Sequence, residues 1–406
     1  MDADVAGALR VLESFVNGMR HSSPLHISDV QVTLRRLLPT FKSPNVIFRD
    51  SVTGGIGVFA CEPLKGGEYV LVDHPELSVL DVVSAQGEYA GLDGCDSISL
   101  VLKSVSSYSS SLETCLRSLY PIRDSASTSS GGFEIPEEVS AQLRECLPPD
   151  IQSDSAVRAI QLNSLGFYTF PELCSHSNHL RFLTGTGIYP SASKFNHSCE
   201  PNVSHFSIGD VAIFCASRDV NEGEELFISY IGNQLLVESK SIRDEFLDGR
   251  DFVCRCTKCS RSTNEPDPWL EELDLRTRAT LNVLKSSEKR VQYIRNVLQS
   301  KKLITRDRLE LQFMLCRELG SRGQAEWDEL LDKMRGISDL STVVVYMYYM
   351  VYFDRDEGLM REALEISRVS LGERFGLSES IRYLLSFTEF SGPSSLRESF
   401  EKLWIA

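Results

Sequence analysis

Apolar residues near the start of the chain recur at helical spacing: Leu9, Val11, Leu12, Phe15 and Val16, then Val30, Val32, Leu34, Leu37 and Leu38. This periodicity predicts helices within residues 1–43. From Asn45 the pattern changes to short apolar runs bounded by Gly and Pro: Val46-Ile47-Phe48, Gly57-Val58-Phe59-Ala60 and Tyr69-Val70-Leu71-Val72. Those read as strands, so a β-rich unit occupies residues 44–80. Residues 81–155 interrupt it with serine tracts at 104–111 and 125–130, around a helical stretch bearing Leu112, Leu116 and Leu119. They read as an insert. Strand patterning resumes in residues 156–232, at 203–206, 211–216 and 226–230. After a cysteine-bearing segment, 233–264, Pro266 and Pro268 oppose regular structure and place a boundary near residue 265. Residues 265–406 return to helical spacing, as in Leu311, Met314, Leu315 and Leu319, then Leu330, Leu331 and Met334, then Leu364, Ile366 and Leu371. They read as a helical bundle or repeat-like array, with no fixed period clean enough for tetratricopeptide repeats. The predicted class is α+β, a β-rich core with a helical insert and a C-terminal α-helical domain.

Composition narrows the setting. A chain of 406 residues with 42% hydrophobic and 24% charged content has ordinary means to bury a core. The longest apolar run, residues 343–353, contains four tyrosines and is too short for a membrane span, so it reads as a buried helix. The N-terminus resembles neither a secretory signal nor a transit peptide, which points to a cytoplasmic or nuclear protein with no membrane partner. A formal charge of -15 opposes docking on a phosphate backbone and suits a cationic protein partner better.

Of eleven cysteines, Cys254, Cys256 and Cys259 form a Cys-x-Cys-x-x-Cys cluster. Three thiolates on one short loop favour zinc, and a closed structural site needs a fourth ligand. Cys199, in Asn196-His197-Ser198-Cys199, is the best candidate. Such a metal would staple this loop to the segment after Tyr230 and close a pocket rimmed by Asn196, His197, Tyr230 and Phe252. The other cysteines are scattered and read as small buried hydrophobes.

Three stretches then act together: Asn196-His197-Ser198-Cys199-Glu200-Pro201-Asn202, Gly223-Glu224-Glu225-Leu226-Phe227-Ile228-Ser229-Tyr230, and Phe252-Val253-Cys254-Arg255-Cys256-Thr257-Lys258-Cys259. Their order and spacing resemble the SET-domain protein lysine methyltransferases, most closely the SMYD-type branch with its split catalytic domain. The likeness extends over residues 44–260 with a break in the middle, through Gly55-Ile56-Gly57-Val58-Phe59-Ala60, Asn163-Ser164-Leu165-Gly166-Phe167 and Gly187-Ile188-Tyr189-Pro190. In SMYD-type relatives the insert holds a zinc-binding MYND module. Here Cys95, Cys115 and Cys146 stand without the paired cysteines such a module needs, so it is expected to be missing.

The resemblance implies transfer of a methyl group from S-adenosyl-L-methionine to a lysine of a protein substrate, histone or otherwise, by a monomer with no nucleic-acid partner. Tyr230 is the implied catalytic residue. Gly55, Gly57, Asn163, Asn196, His197 and Phe252 would hold the cofactor with it, and Tyr189 and Phe167 would wall the substrate channel. Gly54 and Ile56 depart from the polar or basic residues that often meet the cofactor carboxylate in relatives. His205 is a candidate for setting how many methyls fit. Plainer readings stand beside these: Gly54-Gly55-Ile56-Gly57 also suits an ordinary hairpin, Asn163 a helix cap, Phe252 a plug over the metal loop, and Tyr189, Phe167 and His205 the core. The competing function is a catalytically weak or inactive SET-fold scaffold that binds a partner through its helical C-terminal domain.

Overall fold

The computed structural model describes residues 4, 7–11, 14, 27–83, 104, 109–119, 137–148, 150, 151, 153–168, 182–250, 252–261, 270, 273–353 and 356–372. The serine tract at 125–130 and the prolines at 266 and 268 lie outside them. Helix α1 spans Ile27–Leu37. Val30, Leu34 and Leu38 lie on its buried side at four-residue spacing, whereas Val32, counted in the apolar series, is exposed. Strands β1 (Phe41–Lys42), β2 (Val46–Asp50), β3 (Ile56–Ala60), β4 (Tyr69–Asp73) and β5 (Leu77–Val83) follow. Helices α2 (Ser110–Ser118), α3 (Glu137–Cys146) and α4 (Ser153–Asn163) occupy the interruption and lead directly into β6 (Ser164–Tyr168).

The remaining strands are β7 (Phe182–Ile188), β8 (Asn196–His197), β9 (Val203–Ile208), β10 (Val211–Ala216) and β11 (Glu225–Ile228). Three small sheets result, in the orders β1-β4-β10-β9, β2-β3-β11-β8 and β5-β7-β6. Nearly all pairings are antiparallel; β8 and β11 run parallel, with Asn196 opposite Phe227 and His197 opposite Ile228. That pairing brings the Asn-His loop beside Tyr230. Strand β10 is buried at every position, because one of its faces meets the β2–β3 layer and the other meets helices.

After β11 come α5 (Lys240–Phe246), α6 (Thr257–Arg261), α7 (Leu275–Val283), α8 (Ser287–Ser300), α9 (Thr305–Leu319), α10 (Gln324–Arg335), α11 (Leu340–Phe353) and α12 (Glu357–Leu371). Helix α11 contains the apolar run and buries Val343 through Tyr348. The largest core cluster joins Leu34 of α1, Val72, Ile213 and Cys215 of the first sheet, and Leu359 and Ile366 of α12. The helical region therefore shares a core with the sheet.

The N-terminal helix is fixed by a polar contact as well. Strands β9 and β10 are joined by the two residues Gly209 and Asp210, a hairpin connection that favours positive φ, and Gly209 has φ +62°. A Cβ there would meet Leu34 at 2.5 Å. Asp210 is fully buried and accepts hydrogen bonds from Gln31 (2.8 Å), Arg35 (2.8 Å) and Ser78 (3.1 Å). A buried carboxylate needs such partners.

Candidate functional site

Cys199 lies on the loop after β8, and Cys254, Cys256 and Cys259 lead into and through α6. The four sulfurs lie within 4.8 Å of one another, with Cys199 at 3.9 Å from Cys254 and 3.6 Å from Cys259. A tetrahedral zinc with bonds near 2.3 Å sets sulfur separations of about 3.8 Å. The donor set and spacing fit zinc. Arg243, fully buried on α5, places Nη2 3.5 Å from the Cys259 sulfur and donates to the Glu238 carbonyl. Its guanidinium offsets the negative charge that four thiolates concentrate around one divalent ion.

The cluster is tied to Tyr230 through His197. Tyr230 donates its backbone N–H to His197 Nδ1 at 3.0 Å, so that nitrogen is the bare acceptor. The ring proton then belongs on Nε2, which lies 3.4 Å from the Cys199 sulfur. His197 thus bridges a metal ligand and the tyrosine backbone. The Tyr230 hydroxyl donates to the Phe195 carbonyl at 2.7 Å. Burial pushes its pKa up to about 12, eased by Arg250 and reinforced by Glu225. The group is a neutral phenol at pH 7, with its oxygen lone pairs available to accept. Phe252 lies 6.1 Å from the Tyr230 ring and 5.9 Å from that of His197, completing an aromatic corner.

Asn196 donates Nδ2 to Glu225 Oε1 at 2.8 Å, with the Ile56 carbonyl at 3.5 Å, and its Oδ1 has no donor among the described residues. The other oxygen of the buried Glu225 carboxylate accepts from Ser51 at 2.8 Å. Gly57 permits this arrangement, since a Cβ there would stand 2.3 Å from Oε1. Gly55, in the preceding turn, has φ +60° and open space where a Cβ would be. An unfilled acceptor on Asn196 beside an open glycine turn fits the polar tail and nucleoside of a cofactor. Asn202 explains the end of its motif: its side chain donates to the Glu225 carbonyl (2.8 Å) and accepts from the Phe227 N–H (2.7 Å), continuing the strand pairing where β8 has ended.

Tyr230 opens onto a cavity of about 1020 Å³ whose wall includes Asn163, Phe195, His205, Arg250 and Asp339. Asn163, the last residue of α4, donates to the Ala159 carbonyl at 2.8 Å. Phe195 and His205 both stack on Phe214, at 4.9 and 5.5 Å. Burial pushes the His205 pKa down to about 4, so the ring is neutral at pH 7. An unfolded chain takes up this proton near the ordinary value of 6.5, so His205 supports folding above pH 6.5 and loses that contribution as pH falls toward 4. In His205→Phe, which keeps an aromatic stack, the unfolding temperature is expected to fall less between pH 7 and pH 4.5 than in the wild type. Parallel slopes in thermal melts would refute the assignment.

Contacts link Gly57, through Glu225, to Asn196, and His197 to Tyr230, Phe252 and the four-cysteine cluster, while Gly55 lies in the turn before β3 and Asn163 lines the cavity. Tyr189 lies elsewhere. This side chain is fully buried in the sheet core, with its hydroxyl donating to the Asp210 carbonyl at 2.7 Å, so it is a packing residue and no channel wall. The side chain of Phe167 lies outside the described residues. Two residues escaped the sequence reading: Glu225, whose only signal was the second acid of the Gly-Glu-Glu-Leu stretch, and Arg250, which had none.

Residues 55–231 match the family model for the SET domain. The chain is 29% identical over 192 residues to the N-lysine methyltransferase SMYD2-A of Xenopus laevis, covering 47% of this chain and 39% of that protein. It is 39% identical over 83 residues to the histone-lysine N-methyltransferase SMYD3 of Homo sapiens, covering 20% and 19%. With the histone-lysine N-methyltransferase ASHR2 of Arabidopsis thaliana it shares 32% identity over 141 residues, covering 32% and 35%. The matched stretch spans about two fifths or less of each of these relatives.

Proposed function

We propose that this chain, which carries a SET domain of the SMYD-like kind, is an S-adenosylmethionine-dependent protein-lysine N-methyltransferase. The observation that carries the reading is the placement of Tyr230, a neutral phenol held by the Phe195 carbonyl at the wall of a large cavity. When bound, S-adenosylmethionine supplies a sulfonium methyl group.

The chain's own residues do the rest by positioning. Asn196, Asn163 and the glycines at 55 and 57 bind the cofactor's polar tail, while Phe252 and the His197 backbone flank its nucleoside. Because the Tyr230 proton is committed to Phe195, its oxygen accepts one N–H of the incoming lysine and turns the amine lone pair toward the reacting methyl. Phe195 and the neutral His205 give the amine a surface of low polarity, which favours its uncharged form. We assign the split catalytic domain to 44–80 and 156–232, the metal segment to 233–264, and the far wall of the cleft to the helical region, through Ile337, Asp339 and Leu340.

The test is incubation of the purified full chain with labelled S-adenosylmethionine and a proteome extract, followed by mass spectrometry of modified lysines. Labelled lysines are expected. Calorimetry with S-adenosylhomocysteine should show Asn196→Ala binding about tenfold more weakly, the scale of one or two lost polar contacts. Absence of any labelled lysine, with zinc bound and cofactor saturating, would overturn the reading.

A further inference from the structure

Arg250 lines the cavity beside Tyr230, with its guanidinium carbon 5.6 Å from the Tyr230 ring centroid. Its partners are poor for a half-buried cation. Nη1 reaches the Leu162 carbonyl only at 3.4 Å, and no carboxylate among the described residues forms an ion pair with it. The other cations of the cavity are engaged: Lys258 donates to the Leu236 carbonyl, and Arg306 pairs with Asp307 at 3.1 Å. Of the two cavity acids, Asp339 accepts from the backbone N–H groups of Ser341 (2.8 Å) and Thr342 (3.2 Å) at the start of α11. Glu245 is exposed.

Arg250 is thus a half-buried fork of donors facing an open volume. Burial works against its charge, the Tyr230 phenol eases that, and Arg158 nearby adds like-charge repulsion. Arg158 is held close because it donates to the carbonyl of Gly249. An unpaired guanidinium in such a place is costly, and a planar carboxylate taken in bidentate fashion relieves the cost best.

We propose that Arg250 forms a carboxylate-binding subsite in the cavity, filled either by the carboxylate of the cofactor's amino-acid tail or by an Asp or Glu next to the target lysine. The proposal rests on the methyltransferase reading and adds a specificity-determining residue to it. Gly54 and Ile56 offer no side-chain cation at the glycine turn. The same pairing would cancel the repulsion that a bare guanidinium exerts on a lysine approaching Tyr230.

The decisive measurements compare wild type with Arg250→Met, which keeps the stem and removes the charge, after zinc content and thermal unfolding confirm both are folded. Calorimetry with S-adenosylhomocysteine and with its decarboxylated analogue forms one arm. If the cofactor fills the subsite, wild type prefers the carboxylate-bearing form by about tenfold or more, and Arg250→Met binds both alike. Methylation of lysine peptides flanked by Glu or by Gln forms the other. If the substrate fills it, Arg250→Met leaves cofactor binding unchanged and loses a KM preference for Glu-flanked peptides, which Arg250→Lys partly restores. A variant that keeps every discrimination shown by the wild type, or a wild type that binds cofactor yet shows none, overturns the subsite alone. Failure of the wild type to bind S-adenosylhomocysteine or to label any peptide overturns the methyltransferase reading beneath it.

Discussion

Tyr230→Phe is expected to lower methyl transfer by about a hundredfold or more, the scale of losing one preorganised hydrogen-bonding group at a reacting centre, while the protein stays folded. The ring remains in its aromatic corner with His197 and Phe252. The Phe195 carbonyl loses its 2.7 Å donor, at a cost of about 1–2 kcal/mol in stability. Affinity for S-adenosylhomocysteine should stay within about twofold, because in the proposed mechanism the hydroxyl acts on the amine. That split between kcat and cofactor affinity separates a catalytic hydroxyl from a merely structural one. Since the Tyr230 pKa lies near 12, the wild-type rate should rise with pH as the substrate amine loses its proton, with no falling limb from this residue below that range. Single-turnover rates across pH 7 to 10 would check it. Wild-type turnover in Tyr230→Phe would remove the hydroxyl from the mechanism.

The metal cluster and the Asn-His loop were legible because their chemistry is local: three thiolates within six residues announce a soft ion, and the motif order names the fourth. What escaped depends on distant chain segments. Tyr189 stood in a suggestive place, but the carbonyl that takes its hydroxyl belongs to Asp210 in the β9–β10 hairpin. Glu225 looked like half of a polar turn, yet it is buried because Gly57 leaves room for its carboxylate and Asn196 and Ser51 satisfy it. Arg250 follows no period or motif, and only the fold shows it against Tyr230. The prolines at 266 and 268 mark a change of pattern, and they carry no information about cores. Across that point Leu359 and Ile366 share a core with Ile213 and Cys215, and Ser204 donates to the Val369 carbonyl at 2.8 Å.

Removal of zinc should cost both stability and catalysis, and the structure gives a separate route to each. For stability, Cys199, Cys254 and Cys259 are buried in one cluster with Ile231, Leu235, Leu247 and Ile304, so the ion ties the segment after Tyr230 to the start of α9. Without it, Arg243 would remain as a buried cation beside protonated thiols, which cannot balance its charge. We expect one zinc per wild-type chain and little in Cys199→Ser or Cys256→Ser, with unfolding temperatures lower by about 5 °C or more. For catalysis, the His197 ring loses the thiolate that accepts its Nε2 proton, and with it the fixed orientation that lets Nδ1 hold the Tyr230 backbone. Phe252, two residues before Cys254, loses its anchor at the same time, so cofactor affinity should fall together with turnover, unlike the split expected for Tyr230→Phe. Metal analysis, thermal melts and calorimetry on the same preparations give the three readings. Full zinc retention in both serine variants, or unaltered melting of chelator-treated wild type, would show that these four thiols do not form the staple.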